Sequence, residues 1–189
     1  MKINGNSIRP GMVIEHQNRL WRAAKIQHTQ PGKGGAYLQV ELRDLRNGTK
    51  LNERFRSSET VEKAQLEQKE YQFLYSENNT FTFMNNDSFE QITLDVSVIS
   101  EEQIPFLQES MIVTIESYED DPIGVQLPDH IILEVVEADA VVKGQTASSS
   151  YKPALLENGM RTLVPPHIDS GTRIVVSTVD CSYIERAKD

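Results

Sequence analysis

Gln30-Pro31-Gly32-Lys33-Gly34-Gly35 lies between two runs that read as β-strands. Upstream, Leu20-Trp21-Arg22-Ala23-Ala24-Lys25-Ile26 leads in through His28 and Thr29. Downstream, Ala36, Leu38, Val40 and Leu42 alternate with Tyr37, Gln39, Glu41 and Arg43, the period of two that marks a half-buried strand. Pro31 presets φ and the glycines admit positive φ, so the chain reverses here without strain. Gly32, Gly34 and Gly35 also clear side chains from around one ammonium, Lys33. The residue order of a phosphate-binding P-loop is absent. Alone, such a tip is an ordinary soluble turn, and its meaning depends on the rest of the chain.

Residues 1–64 read as one small β domain with no long helical period. Pro10-Gly11 turns before a short strand at Met12–Glu15, and Gln17-Asn18-Arg19 turns into the strand that climbs to Lys33. Asn47-Gly48 is a strong short-hairpin signal, followed by a strand at Asn52–Ser57.

A second unit, residues 65–128, alternates Tyr71, Phe73 and Tyr75, turns at Ser76-Glu77-Asn78-Asn79, and alternates Phe81 and Phe83. This aromatic face either packs a core or stacks on bases, and the acidity around it favours the core. Ser100-Glu101-Glu102-Gln103 fits a capping box, with Pro105 leaving room only for a short helix. Strand-like runs continue through residues 129–189, with a second Asn-Gly turn at Asn158-Gly159. Two successive units of about sixty residues built from short strands fit five-stranded OB-like barrels, although the pattern does not separate these from other small barrels.

The 189 residues carry a net charge of −9, unevenly spread. Residues 1–64 hold 12 Lys and Arg against 6 Asp and Glu, a balance of +6; residues 65–128 hold 1 against 13, or −12; the remainder holds 6 against 9, or −3. A basic leading third suits a polyanion such as RNA, with Arg22, Arg43 and Arg46 as candidate phosphate contacts. A single cysteine, Cys181, excludes an intramolecular disulfide and points to a reducing compartment. No apolar run reaches the length of a membrane span, so the expectation is a soluble, cytoplasmic monomer.

Catalytic patterns are missing. His16, His28, His130 and His167 lack metal-ligand spacing, and Cys181 has no nearby histidine in sequence. Glu116, Glu119, Asp120 and Asp121 crowd a turn and read as a solvated edge rather than an acid–base pair. No nucleophile elbow or dinucleotide fingerprint occurs. The expectation is a protein that is not an enzyme and holds no metal.

Three landmarks together resemble the bacterial translation elongation factor P family. The first is Pro31-Gly32-Lys33-Gly34-Gly35-Ala36 with Leu42-Arg43 and Asn47-Gly48-Thr49. The second is Phe83-Met84-Asn85-Asn86 with Phe89-Glu90-Gln91. The third runs from Lys152-Pro153-Ala154 through Asn158-Gly159 to Val164-Pro165 and Gly171. Their order and spacing cover nearly the whole chain.

The resemblance implies an all-β protein: an N-terminal KOW/SH3-like barrel (1–64), then two OB folds (65–128 and 129–189), in an elongated, tRNA-like arrangement. It implies binding to the 70S ribosome between the P and E sites, beside peptidyl-tRNA and ribosomal RNA, and relief of stalling at consecutive prolines. Lys33 matches the residue that a lysine-modifying enzyme alters, by β-lysylation in some relatives. No other cofactor is implied. Gly144, Gln145 and Thr146 match a loop that approaches the E-site codon, and Tyr183 and Arg186 on the closing strand complete the RNA-binding candidates.

Departures from the family pattern are Gln145 where Asp is usual, His167 after the Val-Pro pair where an aromatic is usual, and Thr172 after Gly171 where Asp or Glu is usual. Two alternatives stand beside this reading. An elongation factor P-like paralogue would share the architecture but carry an arginine-bearing tip. A general single-stranded RNA-binding OB protein would need a positive groove, against which the −12 middle third argues.

Overall fold

Residues 1–140 and 151–188 are described by this computed structural model, and every strand pairing among them is antiparallel. The first six strands are β1 (Lys2–Asn4), β2 (Val13–His16), β3 (Arg19–Thr29), β4 (Tyr37–Asp44), β5 (Lys50–Arg56) and β6 (Thr60–Ala64). They form one sheet in the order β1-β6-β2-β3-β4-β5. Its inner face buries Ile8, Ile14, Trp21, Leu38, Val40, Leu42 and Phe55. The expected alternation along β4 is therefore realised, with Ala36 only half-buried at its foot. Between Ala23 and Lys25 a β-bulge shifts the register, so that Ile26 joins the inner face that Trp21 and Ala23 occupy.

This first sheet curls closed through a short 3-10 turn, Gly5–Ser7, lying against β5. Gly5 donates to the Glu59 carbonyl at 2.7 Å. A Cβ at Gly5 would stand 2.6 Å from the Arg56 carbonyl oxygen and 2.8 Å from Phe55 Cβ, so only glycine permits this approach.

The second sheet comprises β7 (Glu67–Glu77), β8 (Thr80–Asn85), β9 (Gln91–Asp95), β10 (Ile112–Tyr118) and β11 (Asp121–Gln126), in the order β11-β10-β7-β8-β9. The third comprises β12 (His130–Ala138), β13 (Lys152–Leu156), β14 (Arg161–Val164), β15 (Arg173–Ser177) and β16 (Tyr183–Arg186), in the order β14-β13-β12-β15-β16. Both place their first strand centrally, between their second and fourth. One connectivity thus serves twice, as two OB barrels require.

Turn chemistry explains the tight hairpins. Gln17-Asn18, Asn78-Asn79 and Glu119-Asp120 have φ of 51° and 60°, 48° and 64°, and 49° and 67°. Two consecutive positive φ values make the turn whose twist matches the flanking strands. All three places read as turns in the sequence.

The aromatic hairpin is core. Phe73 packs against Phe83 and Phe81 with ring centroids 5.4 and 6.4 Å apart, and all three are buried. A bulge between Phe73 and Tyr75 turns Tyr75 outward, where it is half exposed. The capping-box motif is realised only in part: the Gln103 side-chain oxygen accepts the Ser100 N–H at 3.3 Å. In place of the expected short helix, Pro105 sits in a 3-10 turn, Ile104–Phe106.

Candidate nucleic-acid interface

β3 and β4, with β5 flanking β4 up to Tyr37, form a three-stranded arm of the barrel that ends in the loop of residues 30–36. Gly34 takes φ +127°, open to glycine, and a Cβ on Gly32 or Gly35 would meet nothing within 4 Å. Lys33 is exposed at the end of this arm, and among the described residues no side chain hydrogen-bonds or ion-pairs with it.

The strand registers put charge along the arm's outer face. Arg22 stands opposite Arg43, and Arg43 opposite Lys50; Lys25 faces Glu41; Gln39 faces Arg54; Tyr37 faces Arg56. The outer rows of β3, β4 and β5 therefore carry Arg22, Lys25, Arg43, Lys50, Arg54 and Arg56 against a single carboxylate, Glu41. Like charges set opposite one another repel, and Glu41 relieves this locally. It accepts from Lys50 Nζ at 2.8 Å and lies 3.7 Å from Arg43. The Lys50 hydrogen bond is the main reason its carboxyl is held below the usual range.

The arginines marked from sequence all sit at the root of this face. Arg22 Nη2 donates to Glu116 Oε2 at 2.7 Å, Arg46 Nη2 lies 3.4 Å from Asp121 Oδ2, and Arg43 is near Glu41. Two of the three thus reach carboxylates of the second sheet. The residues that sequence reasoning missed lie nearer the tip. Arg54 stacks its guanidinium over the Tyr37 ring, 5.1 Å from the centroid. Arg54 and Arg56 line a cleft of about 720 Å³ with Tyr37, Ser57 and Ser58. On the other side of the arm's outer end, Arg9, His28, Thr29 and Gln30 line one of about 480 Å³. The signal was present in Arg54-Phe55-Arg56, since a buried Phe55 sends both neighbours outward.

The carboxylate cluster is not a solvated edge throughout. Glu116, expected at a solvated edge, is 5% exposed. It stands on the outer row of β10, beside inward-facing Ile115, and is buried because the first sheet packs over it. Besides Arg22, it accepts from Gln68 Nε2 at 3.0 Å and Gln126 Nε2 at 2.7 Å. Tyr118 donates to Glu15 across the same junction.

Tyr183 packs against the core of the third sheet and Arg186 is exposed on the same strand, so neither is brought beside the arm. Gly144, Gln145 and Thr146 lie outside the described residues. Cys181 is buried in the third core rather than surrounded by polar groups, and burial pushes its thiol up. Among the described residues no group of three or more His, Cys, Asp or Glu side chains is arranged to hold a metal. No helix among them is long and apolar enough to cross a membrane.

Comparison with known proteins covers the same three stretches. Family models match residues 4–61 (elongation factor P KOW-like domain), 66–125 (elongation factor P OB domain) and 131–186 (elongation factor P, C-terminal). Elongation factor P of Erythrobacter litoralis is 56% identical over 187 residues, covering 99% of this chain and 100% of its own length. That of Rhizorhabdus wittichii is 58% identical with the same coverage. Among solved structures, eukaryotic translation initiation factor 5A from Methanococcus jannaschii superposes with a TM-score of 0.56 at 19% identity, covering 68% of this chain and 92% of that one. That likeness concerns the fold alone. At this identity over nearly its full length, the chain belongs to the elongation factor P family, whose members are named as translation elongation factors and not as enzymes.

Proposed function

We propose that this translation elongation factor binds the ribosome between the P and E sites and speeds peptide-bond formation at consecutive prolines by presenting Lys33 to peptidyl-tRNA. The observation that carries this reading is the exposed Lys33 at the end of an arm whose outer-face charges are all cationic but Glu41. The proline ring restricts the geometry of the growing chain, which disfavours attack. A factor that holds the acceptor end and the nascent chain in alignment lowers that barrier by positioning, with no proton or electron of its own. An ammonium flanked by glycines suits this task, because no neighbouring side chain blocks its approach to phosphate.

In this reading Arg54 and Arg56, with Arg9 across the arm, engage RNA phosphates near the tip. Arg22 and Arg46 serve inside the molecule, and Lys33 is the target of a lysine-modifying enzyme that lengthens the cation. The protein acts as a cytoplasmic monomer, with domain boundaries at 64/65 and 128/129, where the three strand sets meet.

The test compares wild type with Lys33→Ala, Lys33→Arg and Arg54→Ala/Arg56→Ala in reconstituted translation of a polyproline reporter, with circular dichroism as the fold control. Lys33→Ala is expected to abolish the acceleration while remaining folded. Lys33→Arg keeps charge but removes the modifiable amine, so it separates the cation from its modification. The double arginine variant is expected to flatten the salt dependence of ribosome binding. Full acceleration from a folded Lys33→Ala protein would end the proposal.

A further inference from the structure

The buried carboxylate at the junction of the first two sheets has no part in the reading above, yet it receives three side-chain donors. Three donors from two folding units converge on Glu116: Arg22 at 2.7 Å from the first sheet, and Gln68 and Gln126 at 3.0 and 2.7 Å from its own. The junction's other polar contacts, Tyr118 to Glu15 and Arg46 to Asp121, are exposed at its margin. Glu116, by contrast, is 5% exposed.

Arg22 stands near the root of β3, the strand that carries the arm. From Arg22 to Thr29 β3 extends about 23 Å within the first sheet, so a rotation of that sheet by about 10° about the junction would sweep the end that carries Lys33 by about 4 Å. Alignment of reacting groups tolerates far less, since displacement of about 1 Å costs on the order of a hundredfold in rate. The ammonium at Lys33 lies on a loop and cannot set its own direction. That direction comes from the root.

We propose that Glu116 is a positioning residue: by gripping Arg22 within a three-donor site it fixes the direction in which the Lys33 arm leaves the second sheet. This rests on the proposed role of the tip, and the experiment separates the two. In Glu116→Gln one carboxylate oxygen becomes an NH2 group facing donors, so the grip is lost with little change of volume. In Arg22→Lys the cation is kept and the planar fork is lost.

Two measurements are made on the full chain. The first is 15N relaxation, which gives rotational correlation times for the first and second sheets separately. The second is the rate of polyproline peptide-bond formation as a function of factor concentration. Glu116→Gln is expected to give the two sheets different correlation times where wild type gives one. It is also expected to lower the plateau rate about tenfold while leaving the half-saturating concentration nearly unchanged. Arg22→Lys is expected to fall between the two proteins in both readouts. A merely structural loss would reduce the folded fraction and raise the half-saturating concentration, leaving the plateau in place.

Common tumbling in Glu116→Gln, or separate tumbling with an undiminished plateau, overturns the proposal. If Glu116→Gln proves insoluble, Arg22→Lys carries both tests alone, with the same overturning outcomes. Should wild type itself leave the polyproline rate unchanged, the role of the tip falls, while the correlation times still decide whether Glu116 fixes the arm.

Discussion

The two junctions in this chain are held by opposite chemistries. Between the first and second sheets the contacts are polar: Arg22 on Glu116, Tyr118 on Glu15, Arg46 on Asp121. Between the second and third, Phe106 leaves the loop after β9 and buries its ring among Ile131, Leu133, Leu156 and Ile174, at 2% exposure. Two hydrogen bonds flank it, Asn158 Nδ2 to the Pro105 carbonyl and Gln108 Nε2 to the Ile132 carbonyl, each at 3.1 Å. An apolar plug is insensitive to direction, since any arrangement that hides the ring gains the same burial. A buried carboxylate facing three donors accepts only narrow geometries. The polar junction is thus suited to aiming the arm, and the apolar one to holding the third unit on.

Removing the plug should give the largest effect. Phe106→Ala is expected to cost about 3–5 kcal/mol, the usual range for a phenylalanine lost from a packed core. Urea unfolding followed by amide exchange in β12 and β15 measures it. A loss under about 1 kcal/mol would show that the third core closes without the ring and that the two junctions do not differ as described.

Arg22→Ala comes next, at about 2 kcal/mol, because it leaves Glu116 charged, buried and short of its cation. The double variant Arg22→Met/Glu116→Leu should recover much of that loss, since a buried ion pair and an apolar pair of similar volume are often close in stability. It should not recover the plateau rate of polyproline synthesis. Stability and aim would then be separated in one protein.

At the exposed margin the effects should be smaller. Both partners of the Arg46–Asp121 pair are well exposed, so Arg46→Ala should change stability by less than about 1 kcal/mol, and less still in high salt. An effect near that of Arg22→Ala would mean the margin, not Glu116, holds the junction.

The smallest signal is spectroscopic. Its hydrogen bond to Glu15 first, then burial, pushes the Tyr118 phenol up from 10.0 to about 12. The neutral phenol is the bonded form, so its contribution is whole below pH 10 and is lost as pH rises through about 12. Absorbance titration of wild type against Tyr118→Phe should show one of the six tyrosines ionising late. A difference curve centred near pH 10 would remove this contact from the junction.

Much of the candidate interface was legible in the chain because its cause is local. Gly32 to Gly35 around Lys33 specify an open tip, and the period of two along residues 36–43 specifies which face carries charge. Arg54 and Arg56 obey the same rule, but a basic balance taken over the whole first third does not single them out. Glu116 was not readable. In sequence it joins Glu119, Asp120 and Asp121 at a turn, and the group that buries it is 94 positions away.

The sequence by itself determined most of the strands, the places of the tight turns and the exposed ammonium, because backbone preference and side-chain alternation act over a few residues. It also determined the family, through motifs distributed over nearly the whole chain. Only the tertiary structure decided that Phe106 belongs to the core of the following unit and that Arg22 and Glu116 complete one another. Burial and pairing are properties of what lies opposite in space, and the alternation of a single strand cannot say which outward face another unit will cover.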